Sequence, residues 1–339
     1  MIIENQKKFL EFFRLFGRLK CNSFQPSKNK HGFEISFATI FAIIAGIAIL
    51  FLAIYFASKF IGSQTETYDA QTSAKLAILM DPLETSTGES KSNIINFVSK
   101  TRLYNDQCEE EGNFGSQKIG IASENFGKFK NPFYGKPQYN KYIFSDDVEE
   151  GKEFYVFVKS FNLPFKVSDL IFLTSKKYCF ISAPDSIKDE LESLNMGNFN
   201  FTDSKSDCPK VSEKVCFSGS PECNISVYGE YGFKRGYISK DGKKMEYIGP
   251  LIYGAIFSSP DVYNCNVKRL KMRVVNLASV YKDEIKILER EGCNSQLDAP
   301  LSQVIALASG ESENLMVLQD KAEEIEIMNS ASECRLFES

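Results

Sequence analysis

A run of 27 residues near the N-terminus constrains this chain more than any other feature. It extends from Ile35 to Ile61, reads ISFATIFAIIAGIAILFLAIYFASKFI and contains a single charged residue, Lys59. At about 1.5 Å per helical residue it reaches roughly 40 Å, which exceeds the ~30 Å hydrocarbon core of a bilayer. In lipid, a single isolated segment satisfies its backbone hydrogen bonds internally only as a helix. The run therefore predicts a transmembrane helix over 35–61. The alternative is a helix buried in a soluble core.

The charges on either side of this run predict its orientation. The first 34 residues carry seven basic and three acidic side chains, a net charge of +4, whereas on the far side the only basic residues that precede residue 91 are Lys59, near the end of the run, and Lys75. The positive-inside rule then places the N-terminus in the cytoplasm and residues from about 63 onward outside. The chain after residue 34 has 33 basic and 41 acidic residues, a net charge of −8, which disfavours nucleic acid as a partner.

A cleavable secretory signal is the competing interpretation of the same region. Such signals have an apolar stretch of about 7–15 residues followed by a small-residue cleavage site. The run here is about twice that length, so we expect an uncleaved signal-anchor in a single-pass protein of the cell membrane.

The cysteines predict an oxidising compartment for the large C-terminal part. Cys21 precedes the span and eight cysteines follow it, an even number that is typical of disulfides in an exported segment. Eight cysteines allow 105 pairings, so spacing alone gives no connectivity. A metal site is the alternative for the Cys208–Cys223 cluster, although it lacks the CxxC spacing of common zinc sites. The disulfide candidates are Cys108, Cys179, Cys208, Cys216, Cys223, Cys265, Cys293 and Cys334.

Two Asn-x-Ser/Thr triplets lie in the same part of the chain. Asn200 precedes Phe201 and Thr202, and Asn224 precedes Ile225 and Ser226. Both asparagines are glycosylation candidates if this part faces outward.

The patterning divides the chain into five segments. Residues 1–34 predict a basic, phenylalanine-rich amphipathic helix in the inner headgroup layer, with a partner surface or a disordered tail as alternatives. The transmembrane helix and a short stalk over 62–80 follow. Residues 81–259 predict an α+β extracytoplasmic domain with a mixed or antiparallel sheet. Residues 260–339 predict a helical region, the last third, packed on that domain.

Within the α+β segment most elements follow from local patterns. We expect a helix over 92–104 and loops with short strands over 105–140. β-branched and aromatic runs predict strands over 154–158, 167–174 and 178–182, followed by a helix over 185–195. Asp241-Gly242 predicts a tight hairpin between strands 233–239 and 243–248, and 251–257 is expected to extend that sheet.

From Pro260 the apolar spacing changes to three and four residues. It predicts a long helix ending at Gly292 and two further helices at about 300–309 and 312–329. Packing into the core is the expected role of these helices, and an oligomeric coiled-coil seam is the alternative.

Familiar catalytic motifs are absent from the sequence. Its one histidine, His31, precedes the span, which excludes Ser-His-Asp, Cys-His and HExxH chemistry from the exported part. Paired carboxylates or Ser-Lys chemistry stay open without a signature. Gly115-x4-Gly120 lacks the Lys-Ser/Thr of a phosphate loop. We therefore assign no catalytic, cofactor or metal residues.

Three charged stretches are expected to lie in solvent. The acidic stretches 109–111 and 146–150 lack the ligand spacing of a calcium loop and predict solvated turns. The basic stretch 268–273 predicts the wet face of the long helix.

Small residues recur at four-residue steps in the span, at Ala38, Ala42 and Gly46 and again at Ala53 and Ala57. Such spacing lets helix backbones approach closely, so it predicts helix packing and a homo-oligomer or a membrane partner. The alternative is that these residues are simply common in spans.

Residues 28–37 (KNKHGFEISF) resemble the processing site of archaeal type IV prepilins, with basic residues and a glycine before a long apolar helix. The chain departs from that pattern because Glu34 is second, not fifth, after the glycine, and a plain basic flank is the alternative. The layout, with residues 101–104, 169–174 and 178–183, also resembles uncharacterised single-pass archaeal membrane proteins. These resemblances imply a cell-envelope protein.

Two function classes follow as expectations. The first is a membrane-anchored, non-catalytic extracytoplasmic protein in envelope or surface assembly or partner binding. The second is an anchored carboxylate-based enzyme or a ligand-binding receptor ectodomain. A deep pocket with convergent polar groups would favour the second class.

Overall fold

The computed structural model describes residues 37–57, 91–112, 114–125, 127–129, 131–217, 223–230, 232–310 and 315–338. The predictions for 1–34 and for the stalk at 62–80 lie outside these ranges. The chain divides into two compact units, residues 1–60 and 61–339, which are described separately.

The first unit contains one apolar helix, α1, over Phe37–Ala57. It has 21 residues; an 18-residue window within it has a mean hydropathy of 2.8, and none of that window is buried in the protein. The helix is about 31 Å long, which matches the ~30 Å hydrocarbon core of a bilayer. Ala38, Ala42 and Gly46 share one face of it, and a Cβ atom at Gly46 would meet nothing within 4 Å.

The second unit contains two mixed sheets. The first sheet is ordered β3-β2-β1-β6-β7-β5, with β4 also paired to β2. Its pairs are antiparallel except β5 with β7, which are parallel. Its strands are β1 (Lys91–Glu109), β2 (Ser116–Asn125), β3 (Lys128–Phe129), β4 (Phe133–Tyr134), β5 (Tyr142–Phe144), β6 (Val148–Asn162) and β7 (Lys166–Thr174).

The second sheet is ordered β13-β12-β11-β10-β8-β9. Strands β11, β10, β8 and β9 run parallel, whereas β11, β12 and β13 form an antiparallel meander. The strands are β8 (Tyr178–Ile181), β9 (Phe199–Thr202), β10 (Glu213–Cys216), β11 (Ile225–Glu230), β12 (Arg235–Lys240) and β13 (Lys243–Ile248).

Five helices are described in this unit, and three of them form its C-terminal third. They are α2 (Asp185–Ser193), α3 (Leu251–Phe257), α4 (Pro260–Arg290), α5 (Asp298–Ser309) and α6 (Leu315–Ala331). The Ser259 hydroxyl caps the N-terminus of α4, and Gly292, with φ of 86°, lies just after its end. The α+β class and the C-terminal helices are confirmed.

The main core lies between the two sheets and the C-terminal helices. Alternate residues of β6 and β7 point into it, among them Phe157 and Phe172, whose ring centroids are 4.7 Å apart. The other face of the first sheet buries a second cluster that includes Val156 and Ile171. The first sheet is therefore apolar on both faces.

The predicted helix over 92–104 is wrong, because this segment is part of strand β1. Its burial follows a period of two: Thr101 and Leu103 are buried, whereas Val98 is 89% exposed. The strand pairs with β6 over residues 91–96 and with both β2 and β6 over residues 101–104. Tertiary pairing overrode a local spacing that is compatible with a helix.

The segment 251–257 does not extend the sheet but forms α3, and all seven of its residues are buried. A short run that is apolar on every side has no period, so its sequence does not distinguish a strand from a buried helix. The hairpin at Asp241-Gly242 is confirmed, with φ of 53° and 73° at the two turn residues.

Candidate functional site

All eight cysteines after the apolar helix form four disulfides, which confirms the predicted disulfide chemistry. The pairs are Cys108–Cys265, Cys179–Cys208, Cys216–Cys223 and Cys293–Cys334. The Cys208–Cys223 cluster is divided between two of these bonds, so its sulfurs are not free thiolates for a metal. Groups of three or more metal-ligating side chains are not found among the described residues.

The disulfides differ widely in the sequence separation of the cysteines that they join. Cys108–Cys265 joins β1 to α4 across 157 residues, whereas Cys216–Cys223 closes a loop of only seven. In the chain-entropy account the longer link contributes roughly 5 kcal/mol and the shorter roughly 2.5 kcal/mol. The Cys108–Cys265 bond therefore fixes the helical third to the first sheet.

A fully buried arginine lies one helical turn after Cys265. Arg269 on α4 donates to neutral oxygens: Nη1 lies 3.0 Å from the Lys141 carbonyl and 2.9 Å from Asn266 Oδ1. Its Nη2 lies 3.1 Å from the Gln138 carbonyl. The guanidinium also lies 4.8 Å from the ring centroid of Tyr142. This corrects the prediction of a wet basic face at Arg269, which has no exposed surface, whereas Lys268 is exposed as predicted.

Buried amides extend this network to strands β1, β2 and β5 of the first sheet. The Ile143 carbonyl accepts from the side-chain amides of Asn105, Gln117 and Asn266 at 2.8–3.0 Å. Gln117 Oε1 in turn accepts from the Ile143 N–H. Burial lowers the pKa of Arg269 to about 10, so the side chain stays charged at neutral pH. We call Asn105, Gln117, Asn266 and Arg269 the arginine node.

The acidic stretch 146–150 contributes to a second buried cluster, which corrects the prediction of a solvated turn there. Asp146 accepts from Lys240 Nζ at 3.0 Å and from Lys176 Nζ at 2.5 Å. Burial alone would raise the pKa of Asp146, but attraction to Lys240 and Lys176 outweighs it and the net shift is downward. The carboxylate is thus held charged between two ammonium groups.

Glu149 lies in the same cluster but in a different environment. Only 1% of it is exposed, and its Oε2 accepts from the Ser175 N–H at 2.7 Å. Burial raises the pKa of Glu149, and the hydrogen bonds from Ser175 oppose this shift without cancelling it. Asp146 and Glu149 are therefore shifted in opposite directions.

Lys240 and Ser258 meet in this cluster, but they do not form a Ser-Lys catalytic pair. Lys240 Nζ donates to Asp146 Oδ1, to the Ile256 carbonyl at 3.2 Å and to the Ser258 carbonyl at 2.7 Å. An ammonium with three engaged donors has no lone pair to accept a proton. Because Ser258 is also fully buried, this arrangement stabilises the α3–α4 junction.

The two glycosylation candidates lie on the surface of the second sheet. Asn200 is exposed in the edge strand β9. Asn224 is exposed beside Cys223, and its Oδ1 accepts from the Lys214 N–H at 3.1 Å. Both side chains are accessible to modification.

A small cleft opens at the edge strand β13, between this strand, α4 and the start of α6. Its volume is about 80 Å³. It is lined by Lys244, Met245, Glu246, Tyr263, Asn264, Val267, Lys268, Lys271 and Leu315. The sequence does not predict this cleft, because the residues that line it come from three separate segments.

The residues of the arginine node were not predicted either, although the sequence contains a pattern that indicates them. Asn105 follows Thr101 and Leu103 on the inward phase of β1, and Asn266 and Arg269 share the buried stripe of α4 with Leu270. Polar residues in phase with an apolar face predict a buried network.

Comparison of the chain with protein-family models, with curated proteins and with solved structures found no match. The site and the fold therefore carry the functional argument by themselves.

Proposed function

We propose that this chain is a single-pass membrane protein whose disulfide-linked α+β domain acts outside the cytoplasm without catalysis, in envelope assembly or partner binding. The observation that carries the proposal is the exposed 21-residue apolar helix in the same chain as four disulfides. An exposed helix of this composition is insoluble in water unless lipid or protein covers it. Disulfides persist in oxidising compartments.

The two buried polar clusters support a structural rather than a catalytic role. The arginine node is buried, the side chains of Asp146 and Lys240 are only 15% and 10% exposed, and all of them direct hydrogen bonds to groups of the protein itself. Catalytic groups must reach a substrate, and these groups are engaged within the protein. The shifted pKa values of Asp146 and Glu149 have a structural cause in burial and ion pairing.

Assembly is tested by the native mass of the protein extracted from its own membrane with mild detergent. We expect a particle that contains at least two copies of the 38.3 kDa chain or one copy with a fixed partner. Gly46→Leu should reduce that association because it fills the face shared with Ala38 and Ala42. Ile47→Leu on a neighbouring face is the matched control. A 38.3 kDa monomer in the native extract would contradict the assembly proposal.

A ligand-binding ectodomain is the second candidate, and the cleft at β13 favours it. The cleft brings lysine, glutamate, asparagine and tyrosine side chains to one opening. This is the convergence of polar groups expected of a binding site, although the volume suits only a very small ligand.

A further inference from the structure

Glu246 in the cleft at β13 has an unusual carboxylate. Its Oε2 is buried and has no hydrogen-bond partner in the described ranges. The nearby Tyr263 hydroxyl donates to the main-chain oxygen of Glu246 instead of to the side chain. The side chain as a whole is half-buried, so its carboxylate can attract a ligand in the cleft that supplies an N–H or O–H group.

Lysines give the same opening a positive rim. Lys268 Nζ donates to Glu110 Oε2 at 3.0 Å, an exposed pair that is weak in water. Lys244 Nζ lies 4.1 Å from the ring centroid of Tyr237, the residue paired with Glu246 across β12 and β13. These ammonium groups attract a negative charge to the cleft while Glu246 attracts a positive one.

The size of the cleft limits the ligand to a few non-hydrogen atoms. Its volume of about 80 Å³ is several times the roughly 10–15 Å³ that one water occupies by the same measure. It is far below the roughly 300–1,000 Å³ of pockets for drug-sized molecules. A compact molecule with both charges satisfies the size and the electrostatics together.

We propose that the cleft between β13 and α4 binds a small zwitterion of the amino-acid class. The ammonium group of the ligand donates to the Glu246 carboxylate, and the carboxylate of the ligand faces Lys244 and Lys268. Asn264, which also lines the opening, offers a neutral donor and acceptor beside the two charged ends. The proposal rests on the cleft alone and holds whether or not α1 spans a membrane.

Calorimetric titration of the full-length protein in lipid nanodiscs tests this proposal. The probes are glycine and L-alanine, with acetate and methylammonium as single-charge fragments. We expect saturable binding of glycine or L-alanine, and at least about tenfold weaker binding of each fragment, because each fragment satisfies only one end of the cleft.

Variants locate the binding at Glu246. Glu246→Gln keeps the side-chain shape but loses the charge, and it should weaken glycine or L-alanine binding by at least about tenfold. Lys268→Gln should weaken it by a smaller factor. Glu326→Gln, on the exposed face of α6, is the matched control and should leave binding unchanged. Thermal melting verifies that each variant is folded.

Three results would overturn the proposal. These are the absence of binding by both amino acids, binding of acetate or methylammonium as tight as that of the amino acids, and full binding in a folded Glu246→Gln variant. Neither of the first two outcomes bears on the assembly proposal, whose test is the native mass.

Discussion

At the scale of single residues, the charged side chains that matter most are the ones that the structure buries. Arg269 donates to the carbonyls of Gln138, Tyr139 and Lys141, which lie in the segment leading into β5. It also contacts Asn266 on its own helix. One side chain thus joins α4 to an irregular segment by donating to three of its carbonyls.

Replacing Arg269 with Met should therefore destabilise the domain strongly. The change removes several hydrogen bonds from a charged donor, at about 1.5–3 kcal/mol each, so we expect a loss of about 3 kcal/mol or more in the free energy of unfolding. Urea denaturation of the oxidised protein measures it. Arg290→Met, at the exposed end of the same helix, should change stability by no more than about 0.5 kcal/mol. Equal effects of the two variants would refute the role of the node.

Glu149 and Asp146 make opposite contributions to the pH dependence of stability. Because its pKa is raised in the fold, Glu149 stabilises the folded state at low pH. This stabilisation is complete below the unfolded pKa of about 4.3 and is lost as pH rises through the folded pKa. The lowered pKa of Asp146 gives a contribution that is present above its unfolded pKa of about 3.9 and is lost as pH falls through the folded pKa.

Glu149→Gln separates these two contributions. Glutamine mimics the protonated acid. The free energy of unfolding of the variant, relative to that of the wild type, should therefore be higher at pH 8 than at pH 4. Denaturant unfolding at both pH values measures this difference. A stability difference between the two proteins that is the same at pH 4 and pH 8 would show that the carboxyl group of Glu149 titrates normally in the fold.

At the scale of elements, strong local signals agreed with the structure and weak ones did not. The hairpin at Asp241-Gly242 and the long helix ending before Gly292 were predictable, since turn chemistry and apolar period pointed to the same result. Strand β1 was not predictable, because its partner β6 lies far along the chain. Helix α3 was not predictable, because all seven of its residues are buried and show no period. The cleft at β13 likewise depends on long-range packing.

Paired substitutions in β1 test the alternation of this strand. Leu103→Ala should cost about 2–5 kcal/mol, because Leu103 is 3% exposed and its removal leaves a cavity. Val98→Ala should change stability by no more than about 0.5 kcal/mol, because Val98 is 89% exposed. Guanidinium unfolding provides both values. A costly Val98→Ala with a neutral Leu103→Ala would place the other face of the strand in the core.

At the scale of the whole molecule, one chain contains both an apolar helix and a domain cross-linked by four disulfides. Both features support the proposal that the chain is anchored in a membrane and exposed to an oxidising compartment. The orientation rests on the charge difference across the helix, with a net charge of +4 in the first 34 residues.

Lysine labelling of intact cells with a membrane-impermeant reagent, read by mass spectrometry, tests this claim most directly. The account predicts modification of exposed lysines of the α+β domain, such as Lys166 and Lys286, and protection of Lys7, Lys8 and Lys20 until the membrane is permeabilised. Labelling of the three N-terminal lysines in intact cells, with protection of Lys166 and Lys286, would contradict it.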